Sequence, residues 1–122
     1  MAYRIAVIED ELPIQQMYRF KLEHEGFIVA TADDGRTGLV VVEQFRPDLI
    51  LLDLRMPNMS GDEMLLHLRA TDWGATVRVI ILTNISRDEA PQALRLLNVH
   101  SYVVKAHHTP AQVVEMVQLA LG

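Results

Sequence analysis

Five short, continuously apolar runs alternate along this chain with segments that carry apolar residues at helical spacing. The runs are rich in branched side chains and occupy residues 5–8, 27–30, 49–52, 77–82 and 102–104, and only Arg78 interrupts the fourth. Continuous apolarity, rather than alternation of apolar and polar residues, predicts strands buried on both faces, as in a parallel sheet. Five repeats of strand then helix, joined by right-handed crossovers, predict an α/β fold in which an open sheet carries helices on both faces.

Two of the predicted helices begin with the same capping-box signature, in which a serine is followed three residues later by a glutamate. Ser60 with Glu63 begins the third helix, and Ser86 with Glu89 begins the fourth. The fifth helix begins within residues 109–112, where a threonine and a proline precede a glutamine. Together with the first two helices, these starts predict five helices.

The composition excludes several classes of protein. A length of 122 residues predicts a single domain spanning residues 1–122. A net charge of −5, without any Lys/Arg cluster, argues against direct binding of nucleic acid. The absence of cysteine excludes disulfides and thiolate metal sites, and it fits a cytoplasmic protein. No apolar run approaches the roughly 18 residues that a membrane span requires, so no membrane association is expected.

Polar residues stand where four of the five predicted strands end. Glu9 and Asp10 follow the first strand, Asp53 follows the third, Thr83 ends the fourth and Lys105 follows the fifth. Because parallel strands place their carboxyl ends at one edge, these side chains are expected to meet there. That edge is where open α/β sheets bind ligands.

This set of side chains favours phosphoryl chemistry with a divalent metal. Carboxylates about 4 Å apart repel each other by about 1 to 4 kcal/mol per pair, so a cluster of three needs cations. Lys105 is one candidate, and Mg²⁺ (or Mn²⁺), which prefers oxygen ligands, is the other. An aspartate can itself attack phosphorus to form an acyl phosphate. The metal, Lys105 and the Thr83 hydroxyl could then neutralise the phosphoryl oxygens.

These residues resemble the receiver domains of two-component response regulators, over essentially the full chain. The resemblance lies in the acidic pair at 9–10, the stretch 51–57 (Leu-Leu-Asp-Leu-Arg-Met-Pro) with Gly61 after it, and the segments 80–83 and 102–105. The spacings from Asp53 to Thr83 and to Lys105 are those of the family. The resemblance implies a flavodoxin-like, doubly wound sheet of five parallel strands in the order 2-1-3-4-5 with five helices.

The resemblance also implies a role for each site residue. Asp53 is the expected phospho-acceptor, supplied by a sensor histidine kinase or a phosphotransfer protein. Asp10, Asp53 and the backbone carbonyl of Arg55 are the expected ligands of Mg²⁺, and Glu9 is expected to act through water.

Thr83, Lys105 and Tyr102 are the residues expected to contact the phosphoryl group or to switch. Thr83 moves toward the phosphoryl group, and Tyr102 turns inward behind it. The change is expected to alter the face formed by the fourth helix, fifth strand and fifth helix, which signals to an effector domain or a downstream protein. A homodimer could form through the same face, where Val114 and Leu119 lie off the main apolar stripe of the last helix.

Three positions depart from the family pattern. Ala106 follows Lys105 where the family has proline with a cis bond. A cis bond before alanine costs about 2.5 to 4 kcal/mol, so a trans bond is expected. Asn84 follows the switch threonine where a very small residue is usual, and it could narrow access to the site. Arg55 is long and cationic beside the acceptor, and it could pair with Glu9 or with the phosphoryl group.

Each site residue also has a plainer interpretation. Asp53 could be a solvated carboxylate that ends a strand, and Glu9 and Asp10 an acidic pair at a helix start. Thr83 could be an ordinary strand residue and Tyr102 a packing aromatic. Because these residues stand at corresponding ends of parallel strands, we favour the metal and phosphoryl site over these plainer interpretations.

Two other functions compete with the phosphorylation switch. One is a phosphorylation-independent interaction module with the same fold, suggested by Ala106 and Asn84. The other is a phosphatase with an aspartyl intermediate, but Arg55 stands where a second acidic residue would be needed, two positions after the nucleophile. We therefore expect no enzyme activity beyond self-phosphorylation and autodephosphorylation.

Overall fold

A computed structural model describes residues 2–122, and its centre is a five-stranded parallel sheet. The strands are β1 (Arg4–Ile8), β2 (Ile28–Ala32), β3 (Leu49–Leu52), β4 (Arg78–Thr83) and β5 (Ser101–Val104). Their order is β2-β1-β3-β4-β5, which confirms the predicted order. The chain order reverses between β1 and β3, so a cleft opens beyond the carboxyl ends of these two strands.

The register of the strands aligns the residues that follow them. Ile8 of β1 pairs with Leu52 of β3, Leu52 pairs with Ile81 of β4, and Thr83 pairs with Val104 of β5. Glu9 and Asp53 are therefore the first residues beyond two neighbouring strands.

Both faces of the sheet are covered, as the continuous apolar runs predicted. One core cluster packs α1 (Leu12–His24) and α4 (Pro110–Leu121) against the sheet. The other packs α2 (Gly35–Phe45) and α3 (Gly61–Arg69) against the opposite face. None of the helices within residues 2–122 is both long and apolar enough to cross a membrane.

The prediction of five helices is wrong at the fourth, so the described residues contain four α-helices. The segment forms two short 3-10 turns instead, Arg87–Glu89 and Gln92–Leu96. Pro91 lies between them, lacks a backbone N–H and disfavours helical geometry in the residue before it. Ala90 accordingly has the extended torsions φ −66° and ψ 145°. Ser86 precedes the first of these turns and Ser60 precedes α3, but neither serine side chain makes the cap hydrogen bond that a capping box requires, so that part of the prediction is wrong. Pro91 then stops the helix after one turn.

Two further expectations concern α4 and the turn before it. The peptide bond between Lys105 and Ala106 is trans, as the cost of a cis bond predicted. On α4, Val114 is 6% exposed and belongs to the core, whereas Leu119 is 82% exposed. The predicted surface contact of Val114 is therefore wrong.

Candidate metal and phosphoryl site

Three carboxylates converge at the carboxyl ends of β1 and β3. Oxygens of Glu9, Asp10 and Asp53 all lie within 4.8 Å of one another, and no other such group of metal-binding side chains occurs within residues 2–122. Glu9 and Asp53 are buried, and Asp10 is half-buried. Hard oxygen donors at this spacing fit a small divalent cation such as Mg²⁺.

Lys105 faces this cluster from the 3-10 turn Lys105–His107 that follows β5. Its Nζ lies 2.5 Å from Glu9 Oε1 and 3.4 Å from Asp53 Oδ2. The structure thus brings together the acidic pair, the predicted acceptor and the predicted lysine. Lys105 lies 96 positions from Glu9 and 52 positions from Asp53 in sequence.

The site contains more negative than positive charge, and the pKa values of its groups reflect this. Burial raises the pKa of Glu9 to about 7, and the negative charge of Asp53 raises it further. The hydrogen bonds that Glu9 accepts from Lys105 and from the Glu11 backbone lower this pKa, but they do not offset burial. Burial lowers the pKa of Lys105, but its hydrogen bond to Glu9 and the charges of Asp53 and Glu9 outweigh burial and raise it overall. Three acidic groups thus face one ammonium group, a deficit of positive charge that a metal ion could fill.

The carboxylate of Asp53 is held by its own backbone environment. Its Oδ1 accepts a hydrogen bond from the Leu54 N–H at 2.7 Å, and its backbone N–H donates to the Ile8 carbonyl at 3.0 Å. Gly61, at the start of α3, packs directly against it, because a Cβ at this position would lie 2.0 Å from the Asp53 carbonyl oxygen. Gly61 is therefore a steric requirement for the position of Asp53.

A cleft of about 550 Å³ opens beside the cluster. It is lined by Asp10, Leu54, Arg55, Met56, Ser60, Asp62, Ile85 and Pro91. Asp10 connects the cleft to the acidic cluster, and the exposed Arg55 supplies a positive charge at its wall. A volume of this size can admit a small phosphorylated group or a side chain of a partner.

Thr83 ends β4 at the same edge of the sheet, and Tyr102 lies within β5, where it pairs with Ile81. Thr83 is 1% exposed, and its Oγ1 accepts a hydrogen bond of 3.4 Å from the Ile85 N–H. The Tyr102 hydroxyl donates to the Ile85 carbonyl at 2.7 Å, and the Arg87 guanidinium donates to the Tyr102 carbonyl at 2.9 Å. The half-buried tyrosine is thus bonded to the loop that follows Thr83, while Asn84 in that loop is exposed.

Sequence reasoning missed Gln15, a buried amide beneath the acidic pair. Its side chain is 3% exposed and donates to the carbonyls of Glu9 at 2.9 Å and Ala32 at 3.1 Å. The signal was present, because Gln15 shares the buried face of α1 with Tyr18 and Leu22. A polar residue on an apolar helical face needs hydrogen-bond partners, which here are the carboxyl ends of β1 and β2.

The sequence analysis also missed Asp34, which lies at the start of α2 and contacts the loop that follows β3. It caps α2 by accepting the Thr37 N–H at 2.7 Å, and it accepts a second hydrogen bond of 2.8 Å from the side chain of Asn58. The Thr37 N–H and Asn58 lower the pKa of Asp34, so this carboxylate is held ionised.

Comparisons with known proteins match most of the chain. The response regulator receiver domain family matches residues 5–118. The phosphate regulon transcriptional regulatory protein PhoB of Escherichia coli is 38% identical over 89 residues, which are 73% of this chain but only 39% of PhoB. The solved chemotaxis protein CheY4 of Vibrio cholerae superposes with a TM-score of 0.88 at 26% identity, covering 97% of this chain and 98% of that one.

A further solved structure has the same fold. The receiver domain of the sensor histidine kinase PA1611 from Pseudomonas aeruginosa, which has a magnesium ion coordinated in its active site cleft, has a TM-score of 0.85. It is 24% identical and covers 97% of this chain and 96% of that one, a likeness of fold.

Proposed function

Because this chain belongs to the family of response regulator receiver domains in two-component signalling, we propose that it accepts a phosphoryl group on Asp53. The observation that carries the proposal is the convergence of Glu9, Asp10 and Asp53 within 4.8 Å, with the Lys105 ammonium beside them. Mg²⁺, or Mn²⁺, would be held by Asp10, Asp53 and the backbone carbonyl of Arg55, with Glu9 acting through water. The bound metal would neutralise charge on the phosphoryl oxygens.

The proposed donor is a phosphohistidine of a sensor kinase or of a phosphotransfer protein. A carboxylate oxygen of Asp53 attacks phosphorus, the P–N bond of the donor breaks, and the imidazole leaves and takes up a proton. The product is an aspartyl phosphate on Asp53. Lys105 supports this step because its ammonium group already lies 3.4 Å from the acceptor carboxylate.

Thr83 and Tyr102 would then change position in response to the new phosphoryl charge. Thr83 ends β4 next to β3, and Tyr102 is hydrogen-bonded to the loop after Thr83. Movement of this loop would alter the face built from the 3-10 turns at Arg87–Glu89 and Gln92–Leu96, β5 and α4. We propose that this face contacts the effector domain or the downstream protein, and that the chain has no activity beyond self-phosphorylation and autodephosphorylation.

Intact mass after incubation with Mg²⁺ and a small acyl phosphate tests the proposal. The expected result is a gain of one phosphoryl group in the wild type and none in Asp53→Asn. Asp33→Asn, at an exposed aspartate outside the cluster, is the control and should gain the group as the wild type does. No gain in the wild type at any donor concentration would overturn the proposal, and multiple turnover of a phosphoester would indicate a phosphatase.

The second candidate is an interaction module that works without phosphorylation. The pairing of Lys105 with Glu9, at 2.5 Å against 3.4 Å to Asp53, favours it, because a lysine engaged by Glu9 is less available to a phosphoryl group. The mass experiment separates the two candidates, since this module would gain no phosphoryl group.

A further inference from the structure

The loop that follows the acceptor strand, residues 54–60, is fastened to the start of α2 by two side chains outside the acidic cluster. The Asn58 amide donates to Asp34 Oδ2 at 2.8 Å, while Asp34 Oδ1 accepts the Thr37 N–H at 2.7 Å. Asp34 is only 9% exposed. One carboxylate therefore caps a helix with one oxygen and holds the loop with the other; we refer to the Asp34–Asn58 contact as the clasp.

The backbone beside the clasp is in equally close contact. The Gly35 N–H, in the first turn of α2, donates to the Met59 carbonyl at 3.0 Å. A Cβ at position 35 would lie 2.3 Å from that same oxygen, so this approach requires glycine. Gly61 also lies close against the Asp53 carbonyl, and its N–H donates to the Leu54 carbonyl at 2.9 Å, so residues 54–60 are held at both of their ends.

Asn58 adopts a conformation that needs external support. Its φ of 66° lies in the left-handed region, which asparagine tolerates better than most residues but which still costs free energy. Such backbone geometry persists where surrounding contacts hold it. The hydrogen bond to Asp34 is the side-chain contact that does so here.

The same loop carries Arg55, whose carbonyl is the third proposed metal ligand, and it forms a wall of the cleft beside Asp10. We propose that Asp34 and Asn58 are positioning residues for the metal site, because the clasp sets where the Arg55 carbonyl stands relative to Asp10 and Asp53. This inference rests on the proposed function and deepens it. Neither residue contacts the acidic cluster, so any effect on metal binding must pass through the loop.

Asn58→Gly is the sharpest test, because glycine keeps the positive φ and removes only the amide. Asn98→Gly is a matched control, since Asn98 is also exposed and has a φ of 53°, but lies in the loop before β5. The same substitution at both positions carries the same entropic cost in the unfolded chain. Asp34→Ser is the second variant, because serine still caps the helix but is too short to hold Asn58.

The measurement is the Kd for Mg²⁺, taken by calorimetry on the unphosphorylated full chain. Asn58→Gly and Asp34→Ser should each weaken binding about 10-fold, the lower end of the effect seen for residues that support metal ligands. The double variant should be no weaker than either single one, because both remove the same contact. Amide hydrogen exchange of residues 54–60 without metal should be faster in both variants and unchanged in Asn98→Gly.

The possible results separate the inference from the function on which it rests. A wild type that binds no Mg²⁺ overturns both. A wild type that binds Mg²⁺, together with clasp variants that bind it as tightly, overturns the inference alone. Equal weakening in Asn98→Gly, or additive losses in the double variant, would likewise overturn it, because the loss would then reflect general destabilisation.

Discussion

Lys105 is paired more closely with Glu9 than with Asp53, at 2.5 Å against 3.4 Å. The lysine side chain is 12% exposed and that of Glu9 4%, so the ion pair is largely shielded from water. Removing one partner of a buried pair leaves the other charge uncompensated, which costs far more than losing an exposed pair.

Lys105→Met should therefore destabilise the protein in Mg²⁺-free buffer above pH 7, where Glu9 is ionised. We expect the free energy of unfolding to fall by about 3 kcal/mol. Lys21 is the only other lysine in the sequence and lies on α1. Lys21→Met should change the free energy of unfolding by less than about 1 kcal/mol. Denaturant titration measures both values. Saturating Mg²⁺ should recover part of the loss in Lys105→Met, and equal destabilisation by both variants would contradict the pairing.

The raised pKa of Glu9 predicts a dependence of stability on pH. Burial raises this pKa from 4.5 to about 7, so the folded protein favours the protonated carboxyl. That contribution is fully present below pH 4.5 and is lost as the pH rises through about 7. Metal-free protein should therefore lose stability between these values, as measured by thermal unfolding.

Two comparisons check that Glu9 is the cause. Glu9→Gln should flatten the pH profile, since glutamine does not titrate. Mg²⁺ should oppose the loss at high pH, because it binds the ionised cluster. A profile in Glu9→Gln as steep as that of the wild type would rule out this assignment.

Gly61→Ala should displace Asp53, the proposed acceptor. The added Cβ would lie 2.0 Å from the backbone carbonyl oxygen of Asp53, which cannot move aside alone. We expect a loss of about 3 kcal/mol in stability and slower gain of the phosphoryl group from an acyl phosphate. Gly38→Ala is the control, because its Cβ would meet only side-chain atoms, Met64 Sδ at 2.9 Å and Ile8 Cγ2 at 3.1 Å, and no backbone atom. Similar phosphorylation rates in both variants would refute the prediction.

Pro91→Ala should lengthen the helical segment between β4 and β5. It restores a backbone N–H and frees Ala90 from its extended conformation, which together remove an obstacle of about 3 kcal/mol to a continuous helix. Far-UV circular dichroism should show a gain in helix. Pro13→Ala, in the first turn of α1, should show none, because proline is tolerated there. If the two spectra change alike, Pro91 is not what interrupts the segment.

The sequence was most informative where local pattern and tertiary structure agree. Continuous apolar runs located all five strands, and the polar residues after them predicted that Glu9, Asp10, Asp53 and Lys105 meet, because parallel strands bring their carboxyl ends to one edge. The fourth helix failed because a capping signature at Ser86 and Glu89 is local, whereas Pro91 beyond it decides whether the helix continues. The pairing of Lys105 with Glu9 was not predicted, since spacing along the chain does not determine which of several carboxylates an ammonium group approaches.

Asp53, the proposed acceptor, directly follows the central strand of the sheet. The backbone N–H of Asp53 is hydrogen-bonded to the Ile8 carbonyl, and β3 has a neighbouring strand on each side. By contrast, β5 is an outer strand bonded only to β4, and the turns beside it are short. The other outer strand, β2, is also bonded on one side only, but it lies between the long helices α1 and α2, whereas β5 lies between two 3-10 turns. Charge added on Asp53, as proposed, would therefore displace atoms more easily on the β5 side than on the β2 side.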